Sequence, residues 1–191
     1  MQPIAFSQLH AVPWKNGGGV TRELACFPPR ASFDDFTWRV SIADVHASGP
    51  FSSFPGIDRV ITLLDGDGMR LEFADGKVHA LTDPLVPFVF AGEAQLHAAL
   101  AGAPSRDFNL MLRRDRARGE IDVLRASGIM ASASDSTLLY SAAGRWQLGD
   151  DCLLDVGDHI LAQGAVHEMP IKMLQAGGAL LCVKINLIDR T

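Results

Sequence analysis

An all-β fold of the jelly-roll kind, arranged as two unequal lobes, is what this sequence predicts, on three observations. Short apolar segments alternate with period two. Turn signals interrupt them about every eight to twelve residues. No segment carries a long helical repeat, and the best helical stretch is a short piece at residues 6–10.

Taken in order, residues 37–45 (TWRVSIADV) set Trp38, Val40 and Ile42 on one face and Arg39, Ser41 and Ala43 on the other. Residues 59–64 (RVITLL) form a β-branched run that ends at Asp65-Gly66-Asp67-Gly68, a strong turn signal. Residues 69–73 alternate again, Ala74-Asp75-Gly76-Lys77 closes a hairpin, and 78–81 restarts. The apolar run 84–90 contains Pro84 and Pro87, which makes it an edge or irregular strand. Strands follow at 96–100 and 108–113, separated by a loop at 101–104. After a polar, small-residue stretch around 125–135, strands resume at 137–141, 145–148, 152–156, 159–162, 171–174 and 179–186. A weak internal repeat relates the pattern around 63–89 to that around 139–161. Two copies imply a single structural unit with a larger lobe over about 1–125 and a smaller one over about 126–191.

The 191 residues are 48% apolar with a formal net charge of −5, which suits a packed globular protein and excludes a disordered one. Acidic and basic residues are interspersed. The only basic cluster, LRRDRAR at 112–118, is short and interrupted by Asp115, so it is read as a solvated turn and nucleic acid is not an expected partner. The N-terminus lacks a charged region followed by an apolar run, and no apolar stretch reaches the roughly 20 residues of a spanning helix. Neither secretion nor a membrane is therefore expected. Cys26, Cys152 and Cys182 are odd in number, widely spaced and without a CxxC. They are read as buried small hydrophobes in a reducing cytoplasm.

Repeated jelly-roll lobes of this kind are the architecture of cupins, so the fold expected is a two-lobed cupin (bicupin). A cupin commonly holds a metal with two histidines, a glutamate and a third histidine. Placed by Gly66, the glutamate position falls on Arg59, and the first histidines fall on Ser52 and Phe54, or on Ser53 and Pro55. Placed by Gly92, the third ligand is Gln95. None of these sets suits a divalent cation, and no metal or other cofactor is expected. A permanent cation at Arg59 is costly if buried without an anion. Spacing alone leaves two solutions: a pocket for an anionic ligand, or an internal ion pair. His167 fits a third-histidine position in the second repeat, but its companions are missing. It is read as structural, like His10, His46, His79, His97 and His159.

The run WKNGGGVTRE at 14–23 is not a phosphate-binding loop, because no GK[ST] follows. Its three glycines are bracketed by the donors Lys15, Asn16, Thr21 and Arg22, so it is either an anion nest or a tight entry into the first strand. Arg39 and Ser41 line a pocket if their face of the strand points inward and are solvated if it points out. Asp107 and Asn109 form a similar pair. Phe51 and Phe54, in the turn 51–56, either wall a small planar ligand or plug a barrel mouth. There is no G-x-S-x-G nucleophile elbow.

Four stretches together resemble the HutD/Ves family of bacterial proteins linked to histidine utilisation. They are WKNGGGVTREL (14–24), FTWRVSIADV (36–45), GPFSSFPGIDRVITLLDGDG (49–68) and DFNLM (107–111). The resemblance implies a bacterial cytoplasmic bicupin that modulates histidine breakdown without a metal by binding a carboxylate: urocanate, formylglutamate or formate. The Ves branch is associated instead with a cold- and stress-linked role. The resemblance nominates no catalytic residue. The pocket candidates are Asn16, Arg22, Arg39, Ser41, Ser52, Arg59 and Asn109. Three functions follow. The first is a binding protein for a small anionic metabolite. The second is a metal-free enzyme on such a substrate, with Asp58, His46 or Glu23 as base. The third is an interaction protein with a vestigial pocket. Exposed β edges pair two subunits in many cupins, so a homodimer is among the expected states.

Overall fold

The computed structural model describes residues 2–188. Eighteen strands and one 3-10 turn, Phe6–Gln8, make up its regular structure. The chain divides into two compact units, His10–Arg116 and a second formed from residues 117–188 with 2–9.

The first unit contains β1 (Ala11–Pro13), β2 (Gly19–Phe27), β3 (Trp38–Val45), β4 (Gly49–Pro50), β5 (Ile57–Asp65), β6 (Met69–Phe73), β7 (Val78–Leu81), β8 (Phe88–Ala91), β9 (Leu96–Leu100) and β10 (Ser105–Arg113). They form a six-stranded sheet, β1-β2-β3-β10-β5-β8, and a four-stranded sheet, β4-β9-β6-β7. The Pro-containing run ends in β8, an edge strand as expected. Inward residues of both sheets, among them Ala43, Ile61, Leu63, Met69, Leu71, Phe90, Leu96 and Ala98, share one apolar core.

The turn at 65–68 does not close a hairpin. It carries the chain from β5 in one sheet to β6 in the other. Gly66 and Gly68 have φ of +92° and +76°, and a Cβ on Gly66 would lie 2.2 Å from the carbonyl oxygen of Pro104. Both the backbone angle and the close approach demand glycine there.

The second unit contains β11 (Ala117–Leu124), β12 (Gly128–Ser132), β13 (Ser136–Ala143), β14 (Trp146–Leu148), β15 (Cys152–Leu154), β16 (His159–Gln163), β17 (Val166–Met173) and β18 (Ala179–Leu187). Its sheets have the orders β11-β18-β13-β16 and β12-β17-β14-β15. Trp146, Leu148, Leu154, Ile171, Leu180 and Cys182 lie in the core they share. Residues 2–9 join this unit through a bridge between Ile4 and His159.

Strand for strand, β3 to β10 and β11 to β18 have the same pairing pattern: β3-β10-β5-β8 matches β11-β18-β13-β16, and β4-β9-β6-β7 matches β12-β17-β14-β15. The weak repeat in the sequence is thus one eight-stranded jelly roll made twice, a bicupin, and the first copy carries β1 and β2 in addition. Because β11 opens the second copy and pairs with β18, the division falls at Arg116 and not near residue 125. The polar stretch around 125–135 contains a strand, β12. Among the described residues no helix is long and apolar enough to cross a membrane.

Candidate functional site

Cross-strand register decides which residues share a face. In the six-stranded sheet, Asn109 lies opposite Ser41 and Ile61, and Met111 lies opposite Arg39 and Arg59. Glu23 faces Ser41, and Phe90 faces Arg59. Asp107 lies opposite Ala43 and Leu63, which belong to the core between the sheets. The face carrying Arg39 and Ser41 is therefore the interior one, and Trp38, Val40 and Ile42 are buried on the other.

Arg59 is the centre of this face. It is 8% exposed. Its Nη2 donates to Asn109 Oδ1 at 2.9 Å, while Nε, fully buried, has no hydrogen-bond partner among the described residues. Three aromatic rings surround the guanidinium, at 5.0 Å for Phe90, 5.2 Å for Phe51 and 5.8 Å for Phe54. Burial lowers its pKa from the ordinary arginine range to about 10; Asp107 opposes that shift, and the neighbouring Arg39 adds to it. No carboxylate forms an ion pair with Arg59 among the described residues.

Arg39 is differently placed. Its Nε donates to Glu23 Oε2 at 2.8 Å, its Nη1 reaches Ser41 Oγ at 3.4 Å, and its guanidinium lies 4.6 Å from the Phe33 ring centre. Phe33 stacks in turn on Phe54 at 5.7 Å. Deeper in, Asp107 is fully buried. Its Oδ1 accepts from Ser105 Oγ at 2.9 Å, and its Oδ2 has no hydrogen-bond partner among the described residues. Burial raises its pKa to about 7 against the opposing pull of Ser105 and Arg59.

The seven expected pocket residues separate into two groups. Arg39, Ser41, Arg59 and Asn109 come together on one face. The other three do not join them. Arg22 lies opposite Ile42, on the reverse face, because alternation along β2 sends it away from Glu23. There it meets Asp44, which also receives Arg106. Burial would raise the Asp44 pKa, but hydrogen bonds from Arg106 and Arg22 hold it below its ordinary value. Ser52 is exposed in the loop before β5. Asn16 folds back on its own turn, where its Oδ1 accepts from the Gly18 amide at 3.0 Å.

The glycine run is not an open anion nest. The Gly17 amide bonds Trp14 O, and the Gly18 carbonyl accepts from His46 and Ala47. Gly19 serves close packing, since a Cβ there would lie 2.5 Å from Asp44 O. A surface cavity of about 260 Å³ does open beside this turn, lined by Trp14, Asn16, Pro50 and Phe51 among others. It is not the arginine site itself. Phe51 is common to both, with its ring against Arg59. Of the candidate bases, Glu23 is engaged by Arg39, Asp58 by Arg114, and His46 is exposed. Reasoning from sequence gave no role to Phe90 or Phe33, or to Asp107 as a buried acid. Alternation along 105–113 was the signal for Asp107; Phe90 and Phe33 lie in segments without one.

The second unit closes the corresponding face on itself. Lys184, opposite Thr137 as Met111 is opposite Arg59, reaches Asp122 at 2.6 Å and Glu120 at 3.5 Å. Its cation is internally neutralised. Among the described residues no group of three His, Cys, Asp or Glu side chains is placed to hold a metal ion.

The comparisons with known proteins agree with this architecture. A family model described as HutD matches residues 7–181. Protein Ves of Citrobacter koseri is 43% identical over 141 residues, 73% of this chain and 72% of that one. Protein Ves of Escherichia fergusonii is 37% identical over 174 residues, covering 91% and 87%. The solved structure of HutD from Pseudomonas fluorescens SBW25, determined in a formate condition, superposes with a TM-score of 0.87 at 29% identity. That match covers 98% of this chain and 99% of that one. The chain belongs to the HutD family.

Proposed function

We propose that the first unit of this HutD-family bicupin is a metal-independent receptor for a small carboxylate, and that the protein modulates histidine utilisation by binding urocanate, formylglutamate or formate. One observation carries the reading. Among the described residues Arg59 is a buried guanidinium with no carboxylate ion pair, an unpartnered Nε and an aromatic enclosure. A buried cation left so is costly, and a ligand carboxylate removes that cost through a charge-assisted, bidentate contact. Arg39 adds positive potential, partly offset by Glu23. Ser41 and Asn109 supply orienting polar groups, and the phenylalanines cover an apolar part of the ligand. The internal neutralisation of Lys184 in the second unit supports assigning the site to the first.

The test is calorimetric titration of EDTA-treated protein with urocanate, formylglutamate and formate, on wild type and Arg59→Ala. A hydrogen bond to a charged group contributes on the order of 1.5–3 kcal/mol, so the variant weakens binding by roughly tenfold or more. Saturable binding that is unchanged by Arg59→Ala rejects the arginine as anchor. No binding to any of the three, by folded protein, rejects the carboxylate reading.

A further inference from the structure

Among the described residues Asp107 has no ion pair to explain its burial. It is fully enclosed on β10, two residues from the Asn109 that holds Arg59. Ser105 satisfies Oδ1, the Asn109 amide bonds the Asp107 carbonyl at 3.4 Å, and Oδ2 is left without a partner. Its neighbours across β3 and β5 are Ala43 and Leu63. Beyond Ala43 on β2 stands Thr21, whose hydroxyl accepts from the Trp14 indole. The facing sheet contributes apolar Met69, Leu71 and Ala98 to the core that Ala43 and Leu63 share. The charged groups acting on Asp107 are Arg59, which favours its ionised form, and Asp44, which disfavours it. Asp44 is itself held by Arg22 and Arg106 on the reverse face, and Arg39 is held by Glu23. Arg59 is thus the cation that favours Asp107 as a carboxylate, and it is also the cation a bound anion would occupy.

We propose that Asp107 is the positioning residue that sets the charge of the pocket: a carboxylate binding at Arg59 displaces the favourable field at Asp107, and Asp107 takes a proton from solvent as the ligand enters. This rests on Arg59 as the carboxylate's anchor. The proton goes to the buried Asp107 carboxyl and offsets part of the negative charge that the ligand brings. With the ligand-free group titrating near pH 7, a ligand anion raises its pKa further, so the complex holds more protons than the free protein. By linkage, affinity is greatest below pH 7 and falls as pH rises through it.

The experiment titrates the wild-type protein with formate and with formylglutamate, whose carboxyls stay ionised throughout, at pH 6, 7 and 8 in buffers of different ionisation enthalpy. The expected result is net proton uptake at pH 7 and a dissociation constant that rises roughly three- to tenfold from pH 6 to pH 8. Asp107→Asn, nearly isosteric, is expected to bind either ligand with no uptake and a flat pH profile. A merely structural role for Asp107 would not flatten it. Binding without proton uptake and independent of pH in the wild type overturns the inference and leaves Arg59 as anchor. Absence of binding at all three pH values overturns the carboxylate reading, and the inference with it.

Discussion

Replacing Arg59 with methionine separates a ligand anchor from a structural ion pair, the two solutions that spacing alone leaves open. If Arg59 exists to bind an anion, the ligand-free protein bears the cost of its burial. Lowering the guanidinium pKa from the ordinary arginine range to about 10 corresponds to about 3 kcal/mol against the charged form. The one hydrogen bond to Asn109 and the three ring contacts return part of that. Methionine restores apolar contact with the same phenylalanines and fills most of the volume. Asp107 then loses its favourable cation, but at pH 6 it is protonated and its burial costs little. Arg59→Met is therefore expected to be neutral or stabilising by about 1–3 kcal/mol at pH 6, in line with other buried charges replaced by apolar groups. In a protein of this size that corresponds to a rise in Tm of roughly 2–4 °C per kcal/mol. At pH 8.5, where Asp107 is ionised, the gain shrinks or reverses. Urea denaturation of the ligand-free protein at both pH values measures this. A loss of more than about 3 kcal/mol at pH 6 would refute the reasoning, because it would make Arg59 one half of a stabilising internal pair.

Two further outcomes follow from the same charges. Because the folded-state pKa of Asp107 is raised from 3.8 to about 7, the folded protein binds the extra proton between those values. The contribution of Asp107 to stability is then present below about pH 4 and is lost as pH rises to 7. Asp107→Asn removes that slope, which urea midpoints from pH 4 to pH 8 would show. Glu23→Gln takes away the carboxylate that neutralises Arg39. It should tighten carboxylate binding roughly two- to fivefold at low salt, with the gain shrinking as salt is added, and an unchanged affinity at both salt levels would exclude Arg39 from the site.

The fold was legible because period-two alternation and glycine-aspartate turns are local signals, and most strands follow them directly. β11 and β12 were not legible: Ala117–Leu124 reads ARGEIDVL and Gly128–Ser132 reads GIMAS, with too few inward apolar residues for a pattern. The boundary near 125 failed for the same reason. At the site, Arg59 was found through the spacing of its neighbours, and Arg39, Ser41 and Asn109 through alternation. The inward face was not readable from β3 alone, since both of its faces are largely buried, and only the register with β5 and β10 decides it. Arg22 was misplaced because a donor next to three glycines looks like an anion nest. The structure spends one of those glycines, Gly19, on packing β2 against β3, and Gly17 takes the left-handed conformation of the turn before it. Phe33 reaches Arg39 from a loop, and no periodicity marks a loop.

The most direct test of the central claim is a crystal structure of the metal-stripped protein with formylglutamate. A ligand carboxylate is expected within hydrogen-bond distance of Arg59 Nε, with Phe51 and Phe54 beside it. A ligand seated only in the Trp14–Phe51 cavity or against Lys184, with Arg59 still bonded to Asn109 alone, would contradict it.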